Sequence, residues 1–295
     1  MSIRPPAGLE NVEPVPAIGA MEIRAIAEIL RESSGITLSE EREDFVRVRL
    51  GKRLRSLGHN TFASYLRYLR GPSGRAERKH LVEAMTTHTT GFFREIAHFE
   101  WMRQTALPDL LAKGAGKERP MVIWSAACSI GAELWSAGMV VDRFSRETSA
   151  NLRFELLGSD ISQTILRRAA ASVFTAEDIT GMPDEMRKQY LLRARKPIDG
   201  ISTWPLYRIA PELRDKGRFS QVNLLDPGSA PRIEADIVFL RNVLIYFSNS
   251  DQQRAVATVA SRIRSGGYLL TGHTERVEHG VAGLTRVASS IYRRE

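Results

Sequence analysis

The sequence predicts an α/β protein in which a small helical domain precedes a larger, doubly wound domain with a small antiparallel β insertion. Three observations support this fold class. Apolar residues recur at helical spacing over about residues 21–74, and short apolar runs alternate with helical segments from residue 121 onward. A stretch rich in proline and short β-prone runs interrupts that alternation over about residues 182–209.

The N-terminal part of the chain divides into a lead-in and a series of helices. Residues 1–20 are rich in proline and are predicted to form a flexible lead-in. The first amphipathic helix is indicated by apolar residues at i, i+3, i+4 and i+7, which are Ile23, Ile26, Ala27 and Leu30. A second helix is predicted from an N-cap at Thr37 or Ser39, and a third follows it. Residues 21–74 therefore form the predicted N-terminal helical domain.

The second helix carries a row of cations, namely Arg49, Lys52, Arg53 and Arg55. At about 100° per residue, Arg49, Lys52 and Arg55 lie opposite the apolar stripe of this helix. The pattern fits a solvated surface, and it fits equally a surface that docks an acidic helix. The formal net charge of +8 also suggests an acidic partner, although charge alone does not identify one.

The larger domain begins with a strand, a turn of small residues and a helix. Met121–Trp124 is the predicted strand, Glu133–Phe144 is the predicted helix, and Gly131 lies in the turn between them. Such a turn lets a ligand approach the backbone, and the start of the helix offers N–H donors. Only one residue of the turn is a glycine, so this is not the G-x-G-x-x-G dinucleotide fingerprint. The pattern indicates either a nucleoside-type ligand or a tight turn without one.

Two further strands are predicted at Phe154–Gly158 and Asp236–Leu240. Asp160 lies just beyond the first, where an acid accepts hydrogen bonds from ribose hydroxyls or caps the following helix. Asn242 follows the second. Because ligands of doubly wound sheets bind at the carboxyl ends of the strands, Gly131, Asp160 and Asn242 are expected to lie along one edge.

Composition excludes several classes of protein. No stretch approaches the ~18 apolar residues that a membrane-spanning helix requires, so membrane insertion is not expected. The N-terminus has no apolar signal core, and the single cysteine, Cys128, rules out an internal disulfide. Both features favour the cytoplasm. Motifs that interleave basic and aromatic residues are absent, so nucleic acid is not an expected partner.

The segment Met85–Glu95 reads M-T-T-H-T-T-G-F-F-R-E and resembles the T-T-N-x-T-x-F-F-R-E signature of the CheR chemotaxis receptor methyltransferases. Five further stretches resemble the same family in the same order: W-S-A-A-C-S-I-G at 124–131, G-S-D-I at 158–161, N-L-L-D at 223–226, R-N-V-L-I-Y-F at 241–247 and G-H-T-E at 272–275. The R-L-x-x-R-L-R run at Arg49–Arg55 matches too. The resemblance covers about residues 21–292.

The resemblance implies that residues 75–90 are a linker helix with the first signature, and that residues 91–295 are a Rossmann-like domain that binds S-adenosylmethionine (SAM) and releases S-adenosylhomocysteine. The implied cofactor-binding residues are His88, Thr90, Arg94, Ala126, Glu133, Asp160, Asn223, Leu224, Asn242 and Val243. In this set Arg94 pairs with the SAM carboxylate, Glu133 holds the amino group and Asp160 accepts from the ribose. Arg94 and Tyr246 are the implied catalytic residues, which shape the reaction centre.

The resemblance also implies the reaction and the partner. Methyl transfer to glutamate side chains on the cytoplasmic methylation helices of chemotaxis receptors would give glutamyl methyl esters. A glutamate carboxylate is ionised at neutral pH, so positioning suffices and no catalytic base is assigned. The basic row Arg49, Lys52, Arg53 and Arg55 becomes the implied docking surface for those receptors.

Three departures from the family pattern modify these expectations. His88 stands where the signature has Asn, and the family turn G-E-E-P-Y reads G-A-E-L-W over residues 131–135, with Ala132 in place of a Glu. These two changes keep a second function open, a non-catalytic signalling adaptor that binds SAM. The insertion also lacks the glycines found in members that bind a receptor's C-terminal pentapeptide, so no pentapeptide tether is expected.

Overall fold

The structure is a computed structural model that describes residues 16–39, 41–195, 204–278 and 281–295. Most of the predicted lead-in, residues 1–15, and the middle of the predicted insertion, residues 196–203, lie outside the described residues. The chain divides into two compact units. One contains the described residues up to Ser33 together with Thr37–Met85, and the other contains Ser34–Ile36 together with Thr86–Glu295.

The described part of the first unit folds into four helices: α1 (Ala20–Ser34), α2 (Glu43–Ser56), α3 (Phe62–Arg70) and α4 (Gly74–Met85). The predicted apolar stripe of α2 is confirmed, because Val46, Leu50 and Leu54 are fully buried. The predicted N-cap of this helix is wrong. The carbonyl of Ser39 accepts a hydrogen bond from the Arg42 amide, which closes a turn, and α2 begins only after it.

A buried carboxylate joins three helices of the first unit. Glu77 of α4 accepts hydrogen bonds from Arg53 of α2, with Nη2 to Oε2 at 2.6 Å, and from the Tyr65 hydroxyl of α3 at 2.9 Å. Burial alone raises the pKa of Glu77, but these two hydrogen bonds outweigh it and hold the pKa below its usual value. Arg53, predicted for a docking surface, thus also connects α2 to α4.

The second unit is built on a seven-stranded sheet in the order β6-β2-β1-β7-β8-β10-β9 within the described residues. Its strands are β1 (Met121–Ala126), β2 (Phe154–Asp160), β6 (Gly217–Gln221), β7 (Ala235–Leu240), β8 (Ile263–Thr271), β9 (Leu284–Ala288) and β10 (Ile291–Arg294). The first five in space are parallel, and β10 is antiparallel to β8 and β9.

Apolar cores cover both faces of this sheet. Along β1, Ile123 packs into one core with α7 (Ala132–Glu147), and the next residue, Trp124, packs into the other with α11 (Asn249–Ala260). The remaining helices are α5 (Ile96–Trp101), α6 (Leu107–Ala112), α8 (Gln163–Ala171), α9 (Asp184–Tyr190) and α10 (Pro211–Arg214). A π-helical turn, Met102–Ala106, connects α5 to α6. The predicted doubly wound α/β fold is confirmed.

The predicted small antiparallel insertion is confirmed as a three-stranded sheet in the order β3-β5-β4. Its strands are β3 (Val173–Thr175), β4 (Leu191–Arg193) and β5 (Leu206–Ile209). The first of these strands precedes residue 182, so the sheet draws on more of the chain than the β-prone stretch indicated.

Helix α11 ends at Ala260, and β8 starts at Ile263 and continues through the glycine pair Gly266-Gly267. The register against β7 shifts between Ala235 and Ile237, which marks a bulge in β8 that contains Gly266 at φ +77°. No helix in the described ranges has the length and apolar character needed to cross a membrane.

Candidate active site

The parallel strands of the large sheet end at one edge, and the predicted site residues lie along it. Asn223 follows β6, Asp160 ends β2, Ala126 ends β1, Asn242 follows β7 and Gly272 follows β8. These strands are neighbours in the order β6-β2-β1-β7-β8, so the segments that follow them are neighbours too. The carboxyl edge is where α/β sheets of this kind bind their ligands.

The backbone at this edge adopts conformations that side chains disfavour. Five of the ten described residues other than glycine that have positive φ lie in the motifs at this edge: Phe93 (54°), Glu95 (57°), Ala127 (65°), Ser129 (51°) and Asn242 (57°). Each such residue costs on the order of 1 kcal/mol. These five residues belong to three of the sequence motifs. Because such conformations persist only where neighbouring residues enforce them, the surrounding structure must hold all three motifs in place. Strain concentrated in this way is typical of a functional site.

Asp160 organises the turn after β1. Its carboxylate accepts the Ser129 amide at 2.9 Å and the Ser162 amide at 3.0 Å. Burial raises the pKa of Asp160 above its usual value, although both amide hydrogen bonds oppose the shift. The N-cap of α8 is Ser162, so the helix-capping alternative for Asp160 is wrong. The Ser129 hydroxyl also donates to the carbonyl of His88 at 3.2 Å, which fixes the first signature against this turn.

A buried arginine that we did not predict connects three of the motifs. Arg241 donates from Nη1 to Glu133 Oε2 at 2.9 Å and from Nη2 to the carbonyl of Arg94 at 2.6 Å. Its Nη2 lies 3.0 Å from Glu95 Oε2. Glu133 also accepts the Ser125 hydroxyl at 2.7 Å. Burial raises the pKa of Glu133 even though Arg241 opposes the shift. The signal for Arg241 was its place in the R-N-V-L-I-Y-F stretch.

Glu275 is a second residue that the prediction missed. One of its oxygens accepts the amides of Asn242 and Gly272, both at 2.7 Å, and the other accepts the amides of Leu244 at 2.7 Å and Ile245 at 3.4 Å. The residue is 4% exposed. This carboxylate therefore sets the path of the loop that carries Asn242, Val243 and Tyr246. The signal for it was the G-H-T-E stretch.

The remaining predicted residues occupy the same segments. Arg94 is exposed and donates from Nη1 to the carbonyl of Thr89 at 3.0 Å. Tyr246 is half-buried at the end of a 3-10 turn, Leu244–Tyr246, that follows β7. Thr90 and Val243 are half-buried, and Leu224 is buried. The contacts through Ser129 and Arg241 thus join His88 to Asp160, and Arg94 to Glu133.

The predicted docking residues lie on α2 in the first unit. Lys52 and Arg49 are exposed, and Arg55 is half-buried. Arg49 donates to the carbonyl of Ala84 at 3.1 Å and lies over the Phe45 ring at 4.6 Å.

The residues at the carboxyl edge fit SAM. An amino acid with a cationic amine and a carboxylate needs an acceptor and a donor, which Glu133 and Arg94 supply. Ribose hydroxyls need an acceptor, which Asp160 supplies. Both carboxylates already accept hydrogen bonds, but with about four acceptor positions each they retain capacity. Ala126 and the next three residues, Ala127, Cys128 and Ser129, are small, and small residues in such a turn let a ligand approach the backbone.

Fold and site together define an α/β domain that binds a nucleoside-type cofactor. Residues 88–292 match the family described as CheR methyltransferase, SAM binding domain, and residues 21–86 match its all-alpha domain. The chain therefore belongs to the CheR methyltransferase family, and the cofactor is SAM.

Relatives named chemotaxis protein methyltransferases match almost the whole chain. The chain is 32% identical to chemotaxis protein methyltransferase 2 of Pseudomonas aeruginosa over 271 residues, 92% of each chain. It is 30% identical to the chemotaxis protein methyltransferase of Escherichia coli over 94% of this chain and 91% of the relative. It is also 26% identical to the chemotaxis protein methyltransferase of Borreliella burgdorferi over 92% of this chain and 94% of the relative. These comparisons confirm a SAM-dependent methyltransferase of the chemotaxis family and give the adaptor alternative no support.

Proposed function

We propose that the protein transfers the methyl group of SAM to glutamate side chains on the cytoplasmic methylation helices of chemotaxis receptors and so forms glutamyl methyl esters. The observation that carries the proposal is the grouping of Arg94, Glu133 and Asp160 at the carboxyl edge of a chain whose relatives are named chemotaxis protein methyltransferases.

The protein's contribution is positioning. SAM, when bound, supplies an electrophilic methyl group. Arg94 pairs with its carboxylate, Glu133 with its amine and Asp160 with its ribose, while Asn223, Leu224 and Val243 line the adenine and the approach to the methyl. An ionised glutamate attacks without a base, so no proton has to be removed in the transfer. Holding the acceptor oxygen in line with the methyl group, with water excluded, supplies the rate enhancement. Tyr246 faces the acceptor in this proposal.

The cations of α2 provide the receptor contact in this proposal. Arg49, Lys52 and Arg55 present positive charge to an acidic helix, and such attraction is strongest at low salt. Arg53 contributes less, because Glu77 already neutralises it. The receptor is engaged without a pentapeptide tether, so a peptide corresponding to a receptor C-terminus is expected to bind more weakly than micromolar.

The activity is tested with radiolabelled SAM and receptor-containing membranes, followed by mild alkali. Label released as methanol supports a glutamyl ester. SAM binding in calorimetry without label transfer would contradict the proposal in favour of an adaptor, and alkali-stable label would contradict the ester.

Arg94→Ala tests the cofactor site directly. Removing a charged hydrogen bond is expected to weaken SAM binding by about 1.5–3 kcal/mol, which is roughly 10- to 150-fold. Arg286→Ala is the matched control, because Arg286 is an exposed arginine on β9 that donates to a backbone carbonyl. Equal SAM affinities for the two variants would remove Arg94 from the site.

Lys52→Glu tests the docking surface. We expect a several-fold lower methylation rate at low salt and a smaller difference at high salt, because exposed charges act through screened attraction. Lys79→Glu reverses an exposed charge on α4 and serves as the control. SAM affinity is expected to be unchanged in both variants. Equal rates for Lys52→Glu and Lys79→Glu would exclude α2 as the docking surface.

A further inference from the structure

Three potential metal ligands meet beside the active site. Glu95 precedes α5, His98 lies in its first turn, and His273 lies in the turn after β8. One donor atom from each lies within 4.8 Å of the donor atoms of the other two. Two imidazoles and a carboxylate are the ligand set that zinc takes in many enzymes.

His98 is the strongest sign that a ligand belongs here. The residue is 2% exposed, yet neither Nδ1 nor Nε2 has a hydrogen-bond partner. A buried polar group without a partner costs about 1–3 kcal/mol, so such groups call for an explanation such as a bound ion.

The distances fit a small tetrahedral ion. Donors about 2.0–2.2 Å from zinc at a tetrahedral angle lie about 3.3–3.6 Å apart. His98 Nδ1 lies 3.5 Å from Glu95 Oε2, and His273 Nε2 lies 3.7 Å from the same oxygen. The two imidazole rings are 4.9 Å apart between centroids. The donor atoms of the two imidazoles lie within 4.8 Å of each other, so movement of the half-exposed His273 side chain towards His98 completes the geometry.

Arg241 is the main charge that opposes cation binding at this cluster, since its Nη2 lies 3.0 Å from Glu95 Oε2. It would keep two other partners after a metal took that oxygen, because Glu133 and the carbonyl of Arg94 also accept its hydrogen bonds. Its remaining charge reduces the affinity, and we therefore expect micromolar rather than nanomolar binding.

We propose that Glu95, His98 and His273 bind a divalent transition-metal ion of the zinc type, with the fourth coordination position left to water. His273 is 49% exposed and provides the route of entry. The site is distinct from the SAM contacts, which involve other atoms, and its occupancy is measured without SAM or receptor. Failure of the proposed methyl transfer therefore has no bearing on it.

The test uses untagged full-length protein stripped of metal with a chelator. Calorimetric titration with Zn²⁺ is expected to show one site with micromolar affinity, and Co²⁺ is expected to give the visible absorption of a four-coordinate site. His273→Ala and Glu95→Gln are each expected to weaken Zn²⁺ at least tenfold. His80→Ala, which removes an exposed histidine of α4, is expected to bind as the wild type does.

Two results would overturn the proposal. One is the absence of a one-to-one Zn²⁺ site in the wild type, and the other is equal affinity in His273→Ala and the wild type. Because His273 is half exposed, its loss is not expected to unfold the chain, and circular dichroism checks this. Glu95→Gln keeps the side-chain shape but removes the charge, so it separates coordination from packing.

Discussion

Replacing Glu275 with glutamine tests whether one buried carboxylate positions the loop of the active site. The carboxylate accepts four backbone amides, two on each oxygen. In Glu275→Gln one of those oxygens becomes an NH₂ group, which can only donate. Whichever way the amide turns, two backbone donors lose their acceptor and face another donor.

The expected cost follows from those two amides. Leaving one buried donor unsatisfied costs about 1–3 kcal/mol, so the pair costs about 2–6 kcal/mol if the loop does not move. Natural domains are stable by only about 5–15 kcal/mol, so a cost of this size is large. We therefore expect the loop to rearrange and become locally disordered, which lowers the cost. Asn242, Val243 and Tyr246 lie on this loop, so SAM affinity should fall with it.

Equilibrium urea unfolding and calorimetric SAM titration measure the two effects separately. We expect Glu275→Gln to unfold at a lower urea concentration and to bind SAM at least tenfold more weakly. Glu278→Gln is the matched control, because Glu278 is exposed and its carboxylate accepts the side chain of Gln253. A Glu275→Gln variant with the urea midpoint and SAM affinity of the wild type would refute the positioning role.

Three further predictions concern other parts of the molecule. Arg53→Ala leaves the buried Glu77 carboxylate with only the Tyr65 hydroxyl as a partner. Because the Arg53 side chain is 37% exposed, we expect the free energy of unfolding in urea to fall by about 2–3 kcal/mol rather than by the full cost of breaking a buried pair. The pKa of Glu77 is lower in the folded protein than in the unfolded chain, so the unfolded chain binds the proton more readily. The ionised Glu77 therefore stabilises the fold above the unfolded pKa of about 4.3, and this stabilisation is lost as pH falls. Melting temperatures between pH 7 and pH 3.5 should therefore fall less in Glu77→Gln than in the wild type. Gly272→Ala places a methyl group 2.7 Å from both Asn242 Nδ2 and Glu275 Oε2. We expect the free energy of unfolding to fall by about 1–3 kcal/mol and SAM to bind more weakly. An unchanged free energy of unfolding and SAM affinity would show that the loop relaxes freely.

Much of the fold was predictable because the signals are local. The stripe of α2 and the buried strand Ala235–Leu240 follow from the spacing of apolar residues within a few turns or one strand. The carboxyl-edge placement of Asp160 and Asn242 followed from the alternation of strands and helices, since parallel strands point the same way. These inferences required no knowledge of distant contacts.

The parts that sequence reasoning missed depend on pairing between remote segments. Gly266 lies in a strand bulge because β8 must stay in register with β7 on both sides of it, and the glycine pair alone looks like a break. Arg241 and Glu275 gain their roles only where β7 and β8 bring their loops beside α7 and the first signature. A charged residue in a motif does not reveal whether it touches a ligand or holds the residues that do.

The two substitutions that favoured an adaptor have different meanings in the structure. Ala132 is fully buried in the core on the α7 face, whereas Glu133 reaches Arg241 and Ser125 at the carboxyl edge. The altered turn therefore retains a carboxylate at the carboxyl edge of the sheet. His88 holds the turn through its backbone carbonyl, which accepts the Ser129 hydroxyl, and any residue offers that carbonyl. Glu133, Arg94 and Asp160, which we propose contact the amine, carboxylate and ribose of SAM, are all retained, so both substitutions are compatible with an active enzyme.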